Sequence, residues 1–149
     1  MSSKILQKEG ERMEWERIIK EYVCSPCKVA VLGATVETGK PVSRVLSYLK
    51  SREFVIYPVN PKYMGLKIFD LDFYSSIKGI PEAIDILLVF IGPKNQGFLL
   101  DELKQIAYKP IIWFQPGAQN PQLEEKLKEL GYYVVSGECI MAVHSTNCR

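Results

Sequence analysis

The sequence predicts an α/β fold: a three-layer, doubly wound, mainly parallel sheet of five to six strands. Residues 28–32, 54–59, 84–91 and 110–114 are short apolar runs without polar alternation, as expected of strands buried on both faces. Stretches with helical spacing separate these runs, the pattern that a parallel sheet with right-handed crossovers produces. Each run also closes on glycine, proline or asparagine, so the chain turns at every strand end.

At 149 residues the chain is expected to be a single domain over 1–149, long enough to bury about two thirds of its unfolded surface. Hydrophobic residues make up 47% and charged residues 24%, and the net charge is +2, without the basic excess of a polyanion-binding surface. No nucleic-acid partner is expected. The opening Met1-Ser-Ser-Lys-Ile-Leu-Gln-Lys lacks the apolar centre of a signal peptide, and no apolar run approaches the ~20 residues that cross a bilayer. The expectation is a cytoplasmic protein with no membrane partner; an oligomer is possible but cannot be derived.

Residues 1–23 are read as an amphipathic amino-terminal helix. Over 11–23, Met13 or Trp15, Ile18, Ile19, Tyr22 and Val23 recur at helical spacing with charges between them. Pro26 ends this helix and feeds the first strand, which stops at Gly33. A polar loop then reaches Pro41, suited to a first helical turn, and Val42, Val45, Leu46 and Leu49 form one stripe of a helix over about 41–51. The second strand, 54–59, closes on Asn60-Pro61. Pro58 cannot donate to a ladder, so it is expected where pairing ends.

Residues 62–84 are the least regular part, with a turn at 63–65, a short strand over 66–69 and a brief helix at 74–77. The run 84–91 is the longest apolar one and is expected at the centre of the sheet. Phe98, Leu99, Leu103 and Ile106 mark a helix over 94–107. After the strand at 110–114, Asn120-Pro121 cap and start a helix through Leu130 that Gly131 stops. The last strand is read at 132–135, and the tail 139–149 either folds back on the sheet or frays.

A parallel sheet takes its ligands just beyond the carboxyl ends of its strands, at the point where strand order reverses. The ends here are Gly33-Ala34-Thr35, Asn60-Pro61-Lys62, Gly92-Pro93-Lys94 and Gln115-Pro116-Gly117. A dinucleotide fingerprint would read Gly-x-Gly-x-x-Gly with an acid closing the second strand. This chain has Gly33-Ala-Thr-Val-Glu-Thr-Gly39 and Asn60-Pro61-Lys62 instead. Backbone amides of Ala34, Thr35 and the helix start near Pro41 still suit a pyrophosphate, and Lys40 adds a full charge. The pocket fits a phosphorylated nucleotide other than NAD.

These residues also carry a resemblance. Val-Leu-Gly-Ala-Thr, Lys40-Pro41, Pro58-Val-Asn-Pro61, the Ile-Pro-Glu-Ala-Ile-Asp run ending in Val89-Phe90, Trp113-Phe-Gln115-x-Gly117 and the terminal Gly-Glu-Cys139-Ile-Met resemble the small stand-alone CoA-binding proteins. That family is similar to the amino-terminal CoA-binding domain of the succinyl-CoA synthetase α subunit. The similarity runs over roughly residues 20–144. It implies a Rossmann-like fold that binds coenzyme A or an acyl-CoA through its ADP portion as a non-catalytic module. It places Gly33, Ala34 and Thr35 at the pyrophosphate, Lys40 and Pro41 near phosphate, and Val59, Asn60 and Pro61 beside the nucleotide. Phe90 and Ile91 would form the opposite wall, with the Gln115 amide a further candidate. The family usually has an arginine directly after the phenylalanine. Here Ile91 stands there, and Lys94 either replaces that cation or is a solvated side chain.

Two rival readings remain. The fold alone allows a NAD(P)-dependent oxidoreductase. Cys24-Ser-Pro-Cys27 allows a thiol or metal protein, although the pair follows a helix and precedes a strand, the reverse of thioredoxin-like sites. Its plainer reading is a capping turn with incidental thiols. His144, the single histidine, is expected on the surface of the tail. No catalytic constellation and no metal site assembles from the sequence.

Overall fold

The computed structural model describes residues 3–149. Met1 and Ser2, the first residues of the expected amino-terminal helix, lie outside the described residues. The chain runs through α1 (Ser3–Ile18), a π-helical turn (Ile19–Val23), β1 (Lys28–Leu32), α2 (Pro41–Ser51), β2 (Val55–Val59), β3 (Lys67–Ile68) and β4 (Leu71–Asp72). It continues with β5 (Ile86–Val89), α3 (Leu99–Lys104), β6 (Ile111–Phe114), α4 (Pro121–Glu129), β7 (Val134–Ser136) and α5 (Ile140–Asn147). Among the described residues no helix is long and apolar enough to cross a membrane.

Five parallel strands among the described residues form one sheet in the order β2-β1-β5-β6-β7, and β3 and β4 form a separate antiparallel pair. β1 has its successors on opposite sides, β2 to one and β5 to the other, so strand order reverses at β1. The expected central strand is central. Register aligns Leu32 with Val59 on one side and Val89 on the other, which sets three strand ends level.

Alternate side chains feed two cores. Val29 and Val31 join Val45, Leu49, Trp113 and Val143 on the face covered by α2 and α5. Ala30 and Leu32 join Leu87, Leu99, Leu103 and Leu127 on the face covered by α3 and α4. Trp113 and Phe114 are both fully buried, one in each core.

Several expectations are corrected. Pro58 sits inside β2 opposite Val31, not where pairing ends. β2 is an edge strand, and the Pro58 carbonyl accepts from Tyr74 N (2.9 Å) on the outer side. Its missing N–H faces away from β1, so no ladder bond is lost. The amino-terminal helix is amphipathic only at its carboxyl end. Trp15 packs on Trp113 (5.8 Å between centroids) and Ile18 and Val23 are buried, whereas Met13 is 66% exposed.

The tail folds as α5 rather than fraying, because Gln115 Oε1 accepts from Ile140 N (2.9 Å) and Trp113 Nε1 donates to Glu138 O (2.7 Å). His144 is therefore buried, 8% exposed, with Tyr48 and Phe54 against its ring. The capping turn read at Cys24 is present, its amide donating to Ile19 O (2.7 Å), but Cys24 is not a free thiol and does not pair with Cys27. Cys24 is bonded to Cys148, 124 positions away, and Cys27 is a separate thiol whose Sγ donates to Tyr22 O (3.2 Å). The helix expected over 94–107 is shorter: a 3-10 turn (Pro93–Asn95) precedes α3.

Candidate functional site

Gly33 ends β1 with φ +96°, a conformation that side chains rarely adopt, and its amide donates to Val59 O (3.1 Å). A methyl group there would stand 2.8 Å from Ile91 Cγ2 and 3.2 Å from Ile91 N. Glycine thus lets the turn close on the neighbouring strand end. The chain then runs on through Ala34, Thr35 and Val36, whose backbone amides donate to no group among the described residues. Ala34 is fully buried, so this is a fixed strip of backbone rather than a swinging loop.

Two polar side chains hold the strip in place. Asn60 Nδ2 donates to Ala34 O (2.9 Å) while its Oδ1 accepts from Lys62 N (3.0 Å). Thr35 Oγ1 donates to Tyr63 Oη (3.2 Å) and accepts from Glu37 N (3.3 Å). Lys40 precedes Pro41 at the start of α2 with extended backbone and makes no side-chain cap. The amino-terminal amides of α2 are therefore left to another acceptor. Free amides, a helix start and an exposed lysine within the eight residues 34–41 suit an anion.

Beside this strip lies a cleft of about 300 Å³. It is lined by Leu32, Gly33, Val59, Asn60, Pro61 and Ile91, together with Ser75, Asn95, Phe98 and Glu102. Its walls are mostly apolar with a few convergent polar groups, the usual make-up of a small-molecule site. Ser75, Asn95, Phe98 and Glu102 were missed by sequence reasoning, which placed Phe98 in the helix core. Phe98 and Glu102 stand four positions apart and share one helical face toward the cleft, while Leu99 and Leu103 share the buried one. Glu102 Oε1 also accepts from Ile77 N (2.6 Å), which fixes the carboxylate at the wall. An acid one turn after an aromatic was the signal available for this pair.

The sequence-derived residues separate into three groups. Gly33, Val59, Asn60, Pro61 and Ile91 line the cleft itself. Ala34, Thr35, Lys40 and Pro41 form the strip beside it, and Phe90, bonded through its amide to Leu32 O (3.0 Å), packs on the opposite face of the sheet. Lys94 and Gln115 stand apart. Lys94 lines a separate hollow with Asn120, Gln122 and Lys126, and Gln115 is 3% exposed, with its amide committed to Ile140 N and, at 3.5 Å, to Cys139 Sγ.

A family model described as CoA binding domain matches residues 27–145. An ADP-forming acetate–CoA ligase of Methanocaldococcus jannaschii is 29% identical over 113 residues, which cover 74% of this chain and 16% of the ligase. The uncharacterized protein YneT of Bacillus subtilis is 28% identical over 130 residues, covering 85% of this chain and 92% of its own length. A solved protein structure from Thermus thermophilus superposes with a TM-score of 0.81 at 31% identity, covering 88% of this chain and 97% of the other. The chain thus spans only 16–19% of the length of the ADP-forming ligases it matches.

Proposed function

The chain belongs to the CoA binding domain family, and from that membership we propose that it binds coenzyme A or an acyl-CoA in the cleft at the end of β1, as a binding module that performs no chemistry on its own. The observation that carries the reading is the pair of unpaired, partly exposed amides at Thr35 and Val36 beside the cleft. The diphosphate lies along these amides, with Lys40 supplying a cation and the start of α2 its partial positive charge. The adenosine enters between Val59, Asn60 and Pro61 on one side and Ile91 and Phe98 on the other. Lys94, Gln115 and Phe90 are left out of this set, the first because it faces another hollow, the second because its amide is spent on α5 and the third because it packs on the opposite face of the sheet.

A non-catalytic role is supported by what lines the cleft. Glu102 is its one titratable side chain, and that carboxylate is tied to a backbone amide without a histidine, cysteine or lysine beside it. Nucleophilic or general acid–base chemistry needs a paired group within hydrogen-bond reach. Isothermal titration with coenzyme A, acetyl-CoA and NADH tests the proposal. Binding of the two CoA species with NADH at least tenfold weaker is the expected result; equal binding of all three, or none by coenzyme A, overturns it.

A further inference from the structure

α2 begins beyond the carboxyl end of β1 and finishes before β2, so its last turn lies at the amino ends of the strands, away from the cleft. There a hollow of about 360 Å³ is lined by Tyr48, Arg52, His144, Ser145, Cys148 and Arg149. Two arginines are among its lining residues and none of its lining side chains is a carboxylate. Arg52 lies 4.8 Å from the centroid of the Tyr48 ring and has no ion-pair partner among the described residues. Tyr48 Oη and His144 Nδ1 share a hydrogen bond of 2.8 Å, which braces the wall on which Arg52 rests. Cys148 completes the lining, half-buried and bonded to Cys24.

Arg52 and the half-buried disulfide thus line one hollow, where an acidic thiol held by the guanidinium would stand beside sulfur. We propose that this hollow is a thiol-exchange site, where an anionic low-molecular-weight thiol docks by its carboxylate or phosphate on Arg52 and attacks the Cys24–Cys148 disulfide at Cys148. The incoming thiolate bonds to Cys148 Sγ as the bond to Cys24 breaks, and the electron pair leaves on the Cys24 sulfur, which takes a proton from water. A second thiolate then attacks the sulfur of the first thiol, freeing Cys148 as a thiolate that is protonated. Two external thiols are oxidised to one disulfide and the protein disulfide is reduced to two thiols.

The protein's own thiols do not serve as the attacking group. Cys27 is the nearest in sequence, but its Sγ is committed to Tyr22 O, and burial followed by the charge of Asp85 pushes the thiol up to about 12. Cys139 caps the other end of α5. The exchange unfastens the carboxyl end of α5 from the turn after α1, while Gln115 keeps hold of its amino end.

The test measures how fast glutathione, coenzyme A and uncharged 2-mercaptoethanol reduce Cys24–Cys148, by acid quench, alkylation and mass spectrometry. Each rate is divided by that thiol's rate on hydroxyethyl disulfide, which removes intrinsic reactivity. An anionic thiol is expected to be favoured over 2-mercaptoethanol on the order of tenfold, as for one charge-assisted contact. The advantage should fall with salt, vanish in Arg52→Gln and survive in part in Arg52→Lys. Preference for glutathione alone identifies a carboxylate as the docking group, and for coenzyme A alone a phosphate. Equal normalised rates for the three thiols overturn the proposal, as do rates that Arg52→Gln leaves unchanged or four free thiols in air-oxidised protein. Arg52 is exposed, so its variants are expected to keep the fold, which circular dichroism checks.

Discussion

Asn60 Nδ2 donates to the carbonyl of Ala34 across 2.9 Å, so the end of β2 holds the backbone that follows β1. The same side chain takes Lys62 N on its oxygen, which makes both halves of the amide necessary. Asn60→Asp keeps the acceptor, removes the donor and sets a carboxylate beside the strip of free amides. Urea unfolding should show a loss of about 1–3 kcal/mol, the cost of leaving the carbonyl of buried Ala34 without its donor. Affinity for coenzyme A in calorimetry should fall by more than that stability loss converts to, because the new charge opposes the diphosphate. Unchanged affinity would place the ligand elsewhere.

Gly33→Ala tests the close approach of the two strand ends. At φ +96° a side chain is strained, and its methyl would meet Ile91 Cγ2 at 2.8 Å. The combined cost is about 2–5 kcal/mol, from left-handed backbone and overpacking. The urea midpoint should drop accordingly. Ile91→Ala in the same chain should recover part of the loss by clearing the clash, whereas simple additivity of the two changes would mean that the residues do not meet.

His144 gives stability a pH dependence. Burial first, and then the Arg52 guanidinium, hold its imidazole below the ordinary 6.5; Tyr48, Arg52 and Phe54 are the groups that α2 and the start of β2 present to it. The unfolded chain therefore binds a proton that the folded chain resists. The contribution of His144 is complete above about 6.5 and is lost as pH falls below it. Glu82, held low by hydrogen bonds from Tyr57 and Lys28, and Glu14, held low by Arg17, change only below 4.5, so the windows separate. Urea midpoints between pH 7.5 and 5.5 should fall in the wild type and stay level in His144→Phe. The slope cannot exceed about 1.4 kcal/mol per pH unit, the limit for one proton.

Cys27 should resist alkylation in the folded protein. Burial and Asp85 raise its thiol from 9.0 to about 12, which leaves roughly a thousandfold less thiolate at a given pH. Brief iodoacetamide labelling followed by peptide mass spectrometry should find it unmodified in native protein and modified in urea. Rapid native labelling would mean that the loop before β1 is open.

Local chemistry made much of the fold legible. The apolar run at 86–91 could only be covered on both faces, and Asn120-Pro121 with Gly131 bracketed α4 by cap and stop. Gly33, Val59, Asn60, Pro61 and Ile91 were legible as one site because a parallel sheet gathers its strand ends. What escaped depends on partners distant in sequence. Cys24 and Cys148 meet only because α5 returns beside the π-helical turn, and His144 is buried only because α5 packs on α2. Pro58 was misplaced because edge position is a property of strand order, which no single strand announces. Glu102 reads as a solvated helix charge until Ile77 N is seen to bond to it.

With Cys24 and Cys148 joined, everything between them is a covalent ring from which α1 and the last residue hang as arms. A protease that nicks one surface loop inside that ring cuts the polymer without separating its pieces. Clipped molecules would travel as one band in a denaturing gel without reductant and as two once reductant is added, so damage to such loops stays invisible until the clasp is opened.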